Sequence, residues 1–76
     1  MSATVLKINS YFKTATRADI NELLSKMLLS DRQTRIFEMF YLKRQNIGFI
    51  ADELCISQTV INRELFIIRD KILRFI

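Results

Sequence analysis

The chain has 76 residues, half of them hydrophobic and 26% charged, with one Gly, no Pro, one Cys and no His. So little turn chemistry argues against a hairpin-rich fold and for helices, and high apolar content with a net charge of only +4 argues against disorder. Without His there is no imidazole acid–base chemistry or His metal ligation. One Cys builds no zinc or iron–sulfur site, and one Gly makes no phosphate-cradling loop. The eight carboxylates are scattered as solvated ions, so the sequence reads as a non-enzyme without a cofactor or metal. No apolar run approaches the ~20 residues of a membrane span, and no leader pattern opens the chain. With Cys55 alone there is no internal disulfide, and a cytoplasmic, reducing setting is expected. Twelve Lys plus Arg against eight acids, with a pI near 9.6, lean mildly towards a polyanionic partner.

In chain order, residues 1–16 read equally as a short helix or a frayed arm. Val5, Ile8 and Phe12 have helical spacing with Ser2 as a cap, but Thr4, Val5, Ile8, Thr14 and Thr16 are β-branched. Thr16 to Asp19 has the form of a capping box and starts a helix over 17–29, with Ile20, Leu23, Leu24, Met27 and Leu28 as its inner stripe. Ser30 to Gln33 repeats that logic for a helix over 31–43, packed through Ile36, Phe37, Phe40 and Tyr41 with Met39 alongside. Asn46 caps a short helix over 47–54, and Ser57 caps a last helix over 58–74 with Ile61, Leu65, Ile68 and Ile72 inside. The expectation is an all-α domain of four to five helices ending in a helix-turn-helix.

The reasons for that ending are positional. Ala51 is the small residue a close helix crossing needs, Ile50 and Leu54 fill the inner face, Ile56 plugs the turn, and Ile61 and Leu65 pack the second helix back. Leu29-Ser30-Asp31-Arg32, Phe40-Tyr41-Leu42, Ile50-Ala51-Asp52-Glu53-Leu54, Ile56-Ser57 and Ile61 fall in one ungapped register. Over about Leu28 to Ile72 the chain resembles region four of the bacterial sigma factors and the related LuxR-type helix-turn-helix domains. The resemblance implies a bacterial or phage transcription protein that docks its last helix in the major groove of double-stranded DNA, often beside a dimer partner or RNA polymerase. Two departures stand out. Cys55 occupies a position where the family usually has Gly, which suits positive φ and burdens any other residue. Phe40, Phe49, Phe66 and Ile67 stand where it usually carries polar side chains, so some of them must meet the N-terminal segment or another chain.

Gln58, Thr59, Asn62 and Arg63 lie off the buried stripe and are the expected base readers, since Arg pairs bidentately with guanine and Asn or Gln with adenine. Lys43, Arg44, Asn46 and Ser57 are the expected phosphate contacts, with Arg32 and Arg35 either adding to that footprint or pairing with Asp31 and Glu38. Arg69, Lys71 and Arg74 complement the dipole of the last helix. Glu64 is expected beside Arg63, as an ion pair or as a repulsive element against indiscriminate DNA binding, and Cys55 as a buried turn thiol. Phe66, Leu73, Phe75 and Ile76 are the expected homodimer or partner surface; the competing expectation is that residues 1–16 cover Phe66 and Leu73. The leading function is sequence-specific DNA binding. The alternative is a protein-interaction module of the same fold that binds RNA polymerase or a sigma factor with little DNA affinity.

Overall fold

A computed structural model of the chain describes residues 3–76; the Ser2 cap lies outside the described residues. The structure is all-α: α1 (Ala3–Thr14), α2 (Arg17–Met27), α3 (Asp31–Phe37) running directly into a π-helical turn (Glu38–Leu42), α4 (Ile47–Leu54) and α5 (Gln58–Phe75).

Four helices start on side-chain caps. Thr16 Oγ1 accepts from the Asp19 amide at 3.1 Å while Asp19 Oδ2 accepts from the Thr16 amide at 3.0 Å. Ser30 and Gln33 close the same reciprocal box at 3.2 and 3.1 Å. Asn46 Oδ1 takes the Phe49 amide at 2.8 Å, and Ser57 Oγ takes the Val60 amide at 3.3 Å. Each cap satisfies a backbone donor that the helix itself leaves unpaired, worth ~1 kcal/mol.

The helix ends are less usual. Leu28, Arg44 and Cys55 all take left-handed backbone angles, with φ of 53°, 55° and 55°, although none is glycine. Leu28 therefore does not continue the inner stripe of α2. It leaves the helix and is 82% exposed, and Leu29 turns inwards instead. The helix expected over 31–43 is also modified. The Lys43 amide donates to Glu38 O and the Gln45 amide to Met39 O, both at 2.9 Å, so the last turn is wider than an α turn. That wider turn shifts the facing of Phe40 and Tyr41 relative to a continuous α-helix.

The core gathers around α5, which packs on α1, α2, α3 and α4. Ile36, Phe37, Ile50, Ile61, Ile68 and Ile72 are fully enclosed, and burying a side chain of this size stabilises by ~1.5–3 kcal/mol. Residues 3–14 form a helix despite their β-branched content, because tertiary packing outweighs propensity. Ile8 is buried, Phe12 stacks on Tyr41 at 5.1 Å between centroids, and the Tyr11 hydroxyl donates to Asp19 O at 3.3 Å. Among the described residues no helix is long and apolar enough to cross a membrane.

Candidate nucleic-acid interface

The α4–turn–α5 unit packs helix on helix with Ala51 only 6% exposed and Ile50 and Ile61 fully buried. The turn is a Schellman closure: the Ile56 amide bonds to Ala51 O at 3.0 Å, the Cys55 amide to Asp52 O at 3.3 Å, and Cys55 is left-handed between them. The Cys55 side chain is exposed, not buried as the sequence suggests, because a left-handed residue at this closure points its Cβ away from the packed side of the turn. Its thiol lies 3.8 Å from Asp52 O.

Gln58, Thr59, Asn62 and Arg63 are all exposed and occupy the first two turns of α5. At about 100° per residue they form one broad arc that lies off the stripe of Ile61, Leu65, Ile68 and Ile72, all buried, with Gln58 at its edge. Phe66 belongs to that same arc one turn further on and is 66% exposed, with the Arg69 guanidinium 5.5 Å above its ring. Its facing follows from the spacing: seven residues separate it from Thr59 and four from Asn62.

The phosphate candidates divide into two kinds. Lys43 and Arg44 are exposed beside the start of α4, and Arg44 is the left-handed residue that closes the preceding turn. Asn46 and Ser57 are exposed, but their side-chain oxygens already cap α4 and α5. What they retain for an anion is the Asn46 side-chain NH₂, the Ser57 hydroxyl hydrogen and the backbone amides of the helix starts.

Three expectations are corrected. Glu64 does not pair with Arg63: it is buried among the inner residues of α5, and its Oε1 meets Arg32 Nη2 at 3.6 Å across to α3. Arg32 is thereby tied to Glu64, not to Asp31 or Glu38. A helical wheel carries the signal, since Glu64 falls beside Ile61 and Ile68 at the margin of the inner stripe. The proposed partner surface does not hold together either. Phe75 is nine residues from Phe66, about half a turn round the helix, and lines a depression with Tyr11, Leu23 and Lys26. Leu73 and Ile76 are half-buried against the core, whereas Phe66 stands in the open. Nor does α1 cover Phe66: it docks through Ile8, Tyr11 and Phe12 and leaves that ring exposed.

At the far end of α5, Arg74 Nη2 holds Asp70 Oδ2 at 3.0 Å, an exposed pair one turn apart. Burial pushes the Tyr41 phenol above its ordinary value of 10.0, with Arg69 acting weakly in the opposite direction. Among the described residues no group of three His, Cys, Asp or Glu side chains is placed to hold a metal ion. No family model matches the chain, and no curated protein or solved structure matches it.

Proposed function

We propose that the chain is a transcription-associated, sequence-specific DNA-binding protein of the helix-turn-helix kind, with α5 laid in the major groove. One observation carries this reading: Gln58, Thr59, Asn62 and Arg63 share an exposed arc at the start of α5 while the inner stripe anchors the helix in the core. An amphipathic helix so mounted offers base-reading amides and a guanidinium without disturbing its own packing. Lys43, Arg44 and the capped starts of α4 and α5 would meet phosphates on either side. A homodimer would double the net charge of +4 and present two recognition helices about one duplex turn apart. RNA polymerase as a neighbour is supported by the resemblance alone.

Fluorescence anisotropy on a selected duplex tests the reading. Arg63→Ala or Asn62→Ala should cost ~1–3 kcal/mol and relax specificity at one base position. Lys43→Ala should weaken binding to every sequence alike and lower the salt slope. Equal affinity of the wild type and Arg63→Ala would remove Arg63 from base reading. A second reading, a protein-interaction module with little DNA affinity, is favoured by the exposed rings of Phe66 and Phe49, 66% and 44% accessible. It predicts only weak duplex binding at low salt, with no preference between sequences.

A further inference from the structure

Three adjoining depressions of about 250, 250 and 220 Å³ share Phe40 and Tyr41 as their common wall. Together they make one groove bounded by α1, the π-helical turn and α5, reaching from Phe12 at one end to Phe66 at the other. The α1 side lies outside the stretch that resembles a known family. Arg44 and Arg69 stand on its rim, and no carboxylate lines any part of it. Neither arginine takes part in an ion pair among the described residues. On one wall, Gln45 Oε1 is buried and has no hydrogen-bond partner among the described residues.

An apolar floor and two cations outside any ion pair define the occupant by complementarity: apolar side chains and carboxylates. A single-stranded nucleic acid fits less well. Base stacking needs open ring faces. Here Tyr41 already has Phe12 stacked on it at 16° between planes and Phe40 set edgewise at 86°, and Arg69 lies over Phe66.

We propose that this groove docks an acidic amphipathic helix of a partner protein, its apolar stripe on Phe40 and Tyr41 and its carboxylates on Arg44 and Arg69. The site adjoins the proposed DNA face and shares Arg44 and Asn62 with it, while Gln58, Thr59 and Arg63 take no part in it.

The test is anisotropy of a labelled, helix-stapled peptide with Leu and Phe at helical spacing and Glu between them. A twin with Lys for every Glu and a labelled oligo-deoxythymidylate run in parallel. The acidic peptide should bind best of the three. The double variant Arg44→Gln/Arg69→Gln should weaken it about tenfold or more. Arg17→Gln/Lys26→Gln removes the same charge from α2, away from the groove, and should leave binding within about twofold, a difference of ~0.4 kcal/mol. Circular dichroism verifies that both variants keep their helices. The proposal is overturned if the acidic peptide does not bind at high micromolar protein or if the Lys twin or the oligonucleotide binds as well. Equal weakening by both double variants, which would mean unspecific charge attraction, also overturns it.

Discussion

Leu28 is where packing and backbone geometry give opposite expectations for one substitution. Its spacing puts it on the inner stripe of α2, and a buried Leu cut back towards the backbone costs ~2–5 kcal/mol. In the structure it is instead a left-handed helix end, with φ 53° and ψ 50°, and 82% exposed. Leu28→Gly then removes almost no burial. It relieves the contact between Cβ and the following carbonyl, worth ~1–2 kcal/mol in left-handed backbone. Against this stands the extra freedom of glycine in the unfolded chain, ~0.4–1 kcal/mol. The net expectation is a gain of ~0.5–1 kcal/mol, which for a domain this size raises the melting temperature by roughly 2–8 °C. Thermal melts followed by circular dichroism measure it, with Ala18→Gly inside α2 as the control, expected to lose ~0.5–1 kcal/mol. A Leu28→Gly melt below wild type would refute the reasoning and return Leu28 to the core.

Cys55→Gly should move stability in the same direction as Leu28→Gly, since Cys55 has the same backbone geometry and an exposed side chain; the same melts read it. Ala51→Leu should destabilise by ~1–3 kcal/mol in urea unfolding, because three added carbons overpack a side chain that is only 6% exposed; an unchanged midpoint would mean that α4 meets α5 in another register. Both tyrosines have raised pKa values, chiefly through burial. The unfolded chain therefore ionises first: their contribution to stability is complete below the unfolded value near 10.0 and is lost as pH rises through the folded values. Tyrosinate absorbance should rise above that ordinary range, and Tyr41→Phe should blunt the alkaline loss of stability.

Much of the architecture is legible because it rests on local chemistry. Thr16, Ser30, Asn46 and Ser57 each precede a helix and each accepts the amide three residues on, so helix starts follow from single side chains. Helix ends carry less local signal, because the usual marker is glycine and this chain places its one glycine inside α4, at Gly48, with left-handed Leu28, Arg44 and Cys55 at the ends. The π-helical turn has no local signature: it forms where Phe12, Phe37 and Tyr41 pack together across distant parts of the chain. The exposed arc of Gln58, Thr59, Asn62 and Arg63 was readable from period alone. By contrast, the Arg32–Glu64 contact joins residues 32 positions apart, and no spacing rule along one helix reports it.

Sedimentation equilibrium of the purified chain, alone and with a pool of random duplex DNA, tests the central proposal most directly. DNA binding through α5 by a dimer predicts a mass of two chains without DNA and a protein–duplex complex at low salt. That complex should dissociate steeply as salt rises, since phosphate contacts release counterions. A mass unaffected by duplex at low salt would contradict the DNA-binding account and leave the protein-interaction reading in its place.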